Sequence, residues 1–247
     1  RQTIPMLVDL DDEHDAPLQI IAFPHAGGAP AFFANWVPQL EDVHLRAVQL
    51  AGHGARLGEA PLDSMDAIVR ELAPIAAALD RPTVFFGHSL GAIVAFRLIR
   101  WLEANRRPLP IHFFASGRRA PHRPQRTRVR ADLDATTLRR ELAELGGTPP
   151  QVLANDELME LYLPTIRADL GIAERFHDPP GIAVGCPLSA FGGDADPEVS
   201  ADDLRGWRDH ARGWFNQRTF TGGHFYFDDP DQVIAAMLVD LLAAAPG

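Results

Sequence analysis

A short apolar run closed by a glycine-containing turn recurs along the chain, with longer stretches of helical spacing between the runs. A parallel sheet with crossover helices produces that alternation, so the pattern predicts an α/β fold with a mostly parallel central sheet. LQIIAF predicts a strand over 18–23, followed by a turn at 24–28 and a short helical piece carrying Phe32, Phe33 and Trp36. A second strand is predicted over 44–50. From Asp63 onward Met65, Ile68, Val69, Leu72, Ile75 and Leu79 fall three or four apart, which marks one helix face, and Pro74 predicts a kink in it. Residues 83–86 read as a buried strand. From Gly91 the chain is apolar on nearly all sides up to Arg97, as expected of a helix packed under the sheet centre. The next strand is predicted over 111–115.

From Arg118 to Pro180 the alternation stops. Two helical patterns, over 134–145 and 156–176, flank GGTPPQVL and predict an inserted helical lid over 118–180, which divides the core into 18–117 and 181–247. Strand signals return at PLSAFGG and over 217–220, and an amphipathic helix is predicted over 230–242. Residues 1–17, with their acidic DLDDEHD, read as a flexible tail. A chain of 247 residues accommodates one large domain with such an insertion.

Charge and cysteine content narrow the function classes. The net charge of −10 argues against general affinity for nucleic acid or anionic membrane, either of which needs a positive surface. No apolar run approaches the roughly 20 residues that span a bilayer, and the start lacks the features of a signal peptide. The single cysteine, Cys186, forms neither an internal disulfide nor a thiolate metal cluster, and reads as a small buried apolar residue. A cytoplasmic monomer is expected.

The candidate chemistry lies in the turns. GHSLG, 87–91, sits between a buried strand and a helix, the setting of a nucleophile elbow. Ser89 there presents its hydroxyl above the sheet, and Leu90 directs its N–H from the helix N-terminus toward a developing oxyanion. A serine needs a base, and the base needs an acid to orient it. His224, in the glycine-rich TGGHFYF after the last strand, fits as the base. FGGDADPEV offers two acids at a strand end: Asp196 is favoured because Pro197 stiffens its loop, and Asp194 is the alternative, with a turn-capping role equally open to it. FPHAGG, after the first predicted strand, supplies the second oxyanion donor through the Ala26 N–H. His25 reads as a loop-shaping residue. Leu158, Leu161, Tyr162 and Ile166 form a stripe on the second lid helix that is expected either to cover the pocket or simply to hold the lid to the body.

With these motifs in place, the chain resembles the type II (editing, discrete) thioesterases that accompany modular polyketide synthases and nonribosomal peptide synthetases. The resemblance covers FPHAGG at 23–28, LAGHGARLGEAP at 50–61, RPTVFFGHSLGA at 81–92, ELGGTPPQVL at 144–153, LPTIRADLGIAE at 163–174, CPLSAFGGDAD at 186–196 and GGHFYF at 222–227. It implies an α/β-hydrolase fold with a mobile lid, a thioester substrate on the phosphopantetheine arm of an acyl or peptidyl carrier protein, and no cofactor or metal. It also implies Ser89 as nucleophile, His224 as base, Asp196 as acid, and Ala26 and Leu90 as oxyanion donors. The segment LAGHGAR departs from the family's usual proline and arginine at Ala51 and His53. Rival readings are a carboxylesterase or lipase acting on small free esters, and a catalytically weak carrier-binding chaperone. Finally, RRAPHRPQRTRVR, 118–130, holds six arginines and no acid; these are expected either to guide an acidic carrier and contact its phosphate, with Arg126, Arg128 and Arg130 foremost, or to form a solvated loop whose arginines pair with nearby acids.

Overall fold

Alternate residues of each central strand face opposite layers, and the apolar runs supply both. In the computed structural model, which describes residues 4–125 and 129–245, Phe85 and Phe113 pack on one side of the sheet and Phe86 and Phe114 on the other. The strands are β1 (Leu7–Asp9), β2 (Leu18–Phe23), β3 (Val43–Val48), β4 (Thr83–His88), β5 (His112–Ser116), β6 (Leu188–Gly193) and β7 (Phe215–Phe220). They form one sheet in the order β1-β3-β2-β4-β5-β6-β7, parallel throughout except for β1.

The helices are α1 (Met65–Ala77), α2 (Leu90–Ala104), α3 (Ala135–Leu145), α4 (Pro150–Leu153), α5 (Asp156–Arg175), α6 (Ala201–Arg205) and α7 (Asp231–Ala244). α1 and α2 cover one face of the sheet. α7 and a 3₁₀ stretch over Pro30–Gln39, with Phe33 and Trp36, cover the other. Burying so many phenylalanines on both faces, at roughly 1.5–3 kcal/mol each, provides much of the drive for folding. α1 runs on past Pro74 to Ala77. Pro74 lies on the exposed side of the helix, where water can take up the carbonyl that loses its N–H partner. No helix among the described residues is long and apolar enough to cross a membrane.

The reading of 1–17 as a flexible tail needs correction. Leu7–Asp9 is an antiparallel edge strand on β3. The Asp11 carboxylate accepts from the Leu45 N–H and from His44 Nδ1, both at 2.7 Å, and Asp9 accepts from Arg46 Nε at 2.8 Å. Two of the acids that suggested a solvated tail, Asp9 and Asp11, are matched by the basic side chains of β3, while Asp12, Glu13 and Asp15 remain exposed.

Between β5 and β6 lie α3, α4 and α5, with a small core of their own around Leu138, Leu142, Met159, Ile166 and Leu170. Asp134 caps α3 and Asn155 caps α5, each side chain accepting a backbone N–H of the first turn. Arg130 binds this segment to the rest of the chain: its guanidinium pairs with Glu141 on α3 and with Glu198 after β6, and the Glu174 carboxylate of α5 accepts its backbone N–H.

Candidate active site

Parallel strands end together, so the loops that follow them meet at one edge of the sheet, the place where ligands bind in such folds. Phe23 is level with Gly87, and His88 with Ser116, which is in turn level with Phe191. The turns that carry residues 24–28, Ser89, 194–196 and 221–224 are thereby gathered at the carboxyl end of the sheet.

Ser89 links β4 to α2 with φ +53° and ψ −113°, a left-handed backbone that costs a non-glycine residue roughly 1–3 kcal/mol. Its N–H donates to the Ser116 carbonyl at 2.8 Å. The flanking glycines are required by contact: a Cβ on Gly91 would run into the Phe23 carbonyl, and one on Gly87 into the backbone of Gly91 and Ala92. Beneath the elbow, His88 Nδ1 lies 2.9 Å from Ser116 Oγ, and the Ser116 and Tyr226 hydroxyls are 2.6 Å apart. Burial lowers the His88 pKa well below the usual imidazole range and raises that of the Tyr226 phenol, so both stay neutral and brace the turn.

His224 donates from Nδ1 to Asp196 Oδ2 at 2.8 Å, and both side chains are almost fully shielded from solvent. The other Asp196 oxygen accepts the Glu198 N–H at 2.8 Å. Asp194 is exposed, and its carboxylate accepts the Gly222 N–H at 3.0 Å, which ties the β6 turn to the loop that bears His224. Of the two acids, Asp196 is the one hydrogen-bonded to the histidine. A ring held in this way has its Nε2 available for a proton, which is the role of a general base.

Ser89, His224 and Ala26 line one cavity of about 60 Å³. Leu90, the first residue of α2, directly follows Ser89 and is buried, and Ala26 lies in the turn after β2. His25 Nε2 donates to the Gly147 carbonyl at 3.1 Å, and burial holds His25 down to about 4, so it is neutral near pH 7 and shapes its loop. Cys186 is buried and its thiol is pushed up to about 12, which leaves it unreactive.

The rest of the cavity wall differs from the expected stripe. Leu158, Leu161, Tyr162 and Ile166 are not on it. Leu161 is 53% exposed, Leu158 and Tyr162 pack within the inserted segment, and Ile166 lies against Gly27. The inward face of α5 is set by Thr165, Ile166, Asp169, Leu170 and Ala173, and the cavity takes Leu170 and Ala173 from α5 with Leu142 and Leu145 from α3. Leu145→Ala is accordingly expected to shift preference toward longer acyl chains, and Leu161→Ala to leave it unchanged. Competition between acyl thioesters of different length measures both.

Of the arginine segment, Arg126 and Arg128 lie outside the described residues. Arg130 is buried in ion pairs with Glu141 and Glu198, as expected of an arginine that pairs with nearby acids, and Arg118 is buried with Nη2 on the Ala173 carbonyl; both also border the cavity of Ser89.

Two residues that the motifs did not single out as site groups reach the turn after β2. The Asp169 carboxylate accepts the Gly27 N–H at 2.7 Å and a hydrogen bond from His53 Nε2 at 2.6 Å. The one signal for them in the sequence is the unusual His53 in LAGHGAR.

Comparison with known proteins agrees with this geometry. A thioesterase-domain family model matches residues 18–240. The thioesterase PikA5 of Streptomyces venezuelae is 36% identical over 244 residues, covering 95% of this chain and 85% of its own. The gramicidin S biosynthesis protein GrsT of Aneurinibacillus migulanus is 32% identical over 235 residues, covering 94% and 92%. Among solved structures, the type II thioesterase BorB from the borrelidin biosynthetic cluster aligns with a TM-score of 0.85 at 34% identity, over 96% of this chain and 97% of that one. The family match begins with β2, ends within α7 and takes in every strand-end turn described above; the chain belongs to the thioesterase-domain family and is a thioester hydrolase on an α/β-hydrolase fold.

Proposed function

We propose that this thioesterase hydrolyses acyl groups from the phosphopantetheine arm of acyl or peptidyl carrier proteins, and so clears stalled or aberrant chains from a polyketide or nonribosomal peptide assembly line. The observation that carries the mechanism is the His224–Asp196 hydrogen bond of 2.8 Å beside a serine on a left-handed turn, both residues opening on one cavity. In this reading Ser89 attacks the thioester carbonyl and His224 takes its proton, while Asp196 stabilises the imidazolium. The Ala26 and Leu90 N–H groups receive the oxyanion. The thiol leaves with the proton from His224, and water then cleaves the acyl-enzyme by the same base. Each step uses the chain's own groups and water, so the reaction needs no metal or redox cofactor.

The carrier-bound substrate is supported by the relatives, whose names place them in gramicidin S biosynthesis, in the borrelidin biosynthetic cluster and, for a type II thioesterase 28% identical over 97% of this chain, in the yersiniabactin NRPS/PKS pathway. Rates on acyl groups loaded on a carrier protein, on acyl-pantetheine and on p-nitrophenyl esters test the proposal, with release followed by mass spectrometry of the arm. Faster turnover of the carrier-bound acyl group is expected. Preference for the free ester would make the protein a carboxylesterase, and carrier binding without turnover would make it a chaperone.

A further inference from the structure

The turn after β2 is held from behind by groups that take no part in the reaction as drawn. Gly27, which follows Ala26, donates its N–H to Asp169 Oδ2, and that same oxygen accepts from His53 Nε2. Asp169 and His53 are both buried. The other ring nitrogen of His53, Nδ1, lies 3.0 Å from the Ala51 carbonyl oxygen. A carbonyl and a carboxylate only accept, so both ring nitrogens donate, and a ring that donates from both is an imidazolium. Burial alone would lower the pKa of this ring, but the hydrogen bond and charge of Asp169, with the Ala51 carbonyl, raise it above the ordinary imidazole value.

The pair joins three parts of the chain. Asp169 is on α5, Gly27 is in the turn after β2, and His53 is in the loop after β3. Contacts on either side strengthen the join: Thr165 Oγ1 donates to the Gly52 carbonyl at 3.0 Å, and Ile166 is packed so closely on Gly27 that a Cβ there would come within 2.9 Å of it. Gly27 itself has φ +72°, which leaves the turn free to present its N–H to the carboxylate. The charge has its own consequence. An unpaired carboxylate behind this turn would repel an oxyanion forming beside Ala26, and a buried unpaired charge is itself costly. The His53 cation removes both penalties.

We propose that the buried His53–Asp169 ion pair is the positioning device of the oxyanion loop: Asp169 fixes the Ala26–Gly27 peptide, and His53 cancels the negative charge that would otherwise oppose the transition state. The proposal rests on the serine mechanism given above, and it makes seating of α5 a condition for a complete oxyanion hole. Neither residue lines the cavity that holds Ser89 and His224.

The test uses the full chain with Asp169→Asn, His53→Gln and His53→Arg, and Ser89→Ala as control. Steady-state hydrolysis of acyl-pantetheine gives kcat and KM. Binding of an alkyl boronic acid, which adds to a nucleophilic serine and places an oxygen in the oxyanion hole, is compared with binding of a non-hydrolysable thioether analogue of the substrate. Asp169→Asn and His53→Gln are expected to lower kcat by about ten- to a hundredfold with KM within about twofold, and to weaken the boronic acid by a like factor while sparing the thioether. His53→Arg, which keeps the cation, is expected to retain most of kcat. Unchanged kcat and boronic acid affinity in Asp169→Asn and His53→Gln would overturn the proposal, as would equal weakening of both ligands alongside a fall in melting temperature. Retention of turnover by Ser89→Ala would instead defeat the serine mechanism itself, so the two failures are distinguishable.

Discussion

Ser89→Ala is expected to lower thioester hydrolysis by roughly a thousandfold or more, the loss typical of removing one member of a catalytic triad. The fold is expected to survive, because the described core is built from the phenylalanines and aliphatic side chains of β2, β4, β5 and α2 and owes nothing to that hydroxyl. Alanine, like serine, has a Cβ and pays the same penalty at φ +53°, so the strain of the turn is unchanged. Circular dichroism and melting temperature check the fold, and single-turnover hydrolysis checks the chemistry. Activity of more than a few per cent in a preparation free of contaminating hydrolases would show that another group is the nucleophile.

The second large effect separates the two acids of FGGDAD. Asp196→Asn is expected to reduce kcat/KM by about 10³–10⁴-fold, because an amide NH2 in that place can donate to Nδ1 and fix the tautomer that carries its proton on Nε2, and it leaves the imidazolium without a counter-charge. Asp194→Asn is expected to cost only a few-fold: the amide oxygen of asparagine still accepts the Gly222 N–H, and the residue is exposed to water. The pair is informative because the residues are neighbours in sequence and carry the same charge. Greater damage from Asp194→Asn would transfer the orienting role to it.

How the two acids divide their work also shows where local pattern stops being informative. Both follow the same strand, and each has a good local reason to be present. Asp194 bonds across to the turn at Gly222, whereas Asp196 turns inward to His224, a choice made by how the β6 and β7 loops cross. The same applies to the wall of the cavity. Spacing along α5 identifies an amphipathic helix but gives only its period, and the rotation of that helix against the sheet decides that Leu170 and Ala173 face the cavity while Leu161 faces water. The acidic start of the chain was misleading for a related reason: its partners, His44 and Arg46, belong to a strand whose register no local pattern reveals.

By itself the sequence determined the α/β class, the order of strands β2 to β7 and of helices α1, α2, α3, α5 and α7 among them, and the elbow and histidine motifs, because each of these is written in neighbours one to four residues apart. Strand alternation, helical period and the glycines around Ser89 are local requirements of backbone geometry and sterics, and they hold wherever the segment is placed. Tertiary structure alone decided which acid meets His224, which side chains wall the cavity, and that His53 and Asp169 meet behind the oxyanion loop. His53 lies 116 residues from Asp169, and Gly27 lies 142 from it. Contacts over such separations depend on how whole elements pack. Burial then makes them consequential, since a charge removed from water must find its partner in whatever element is folded against it.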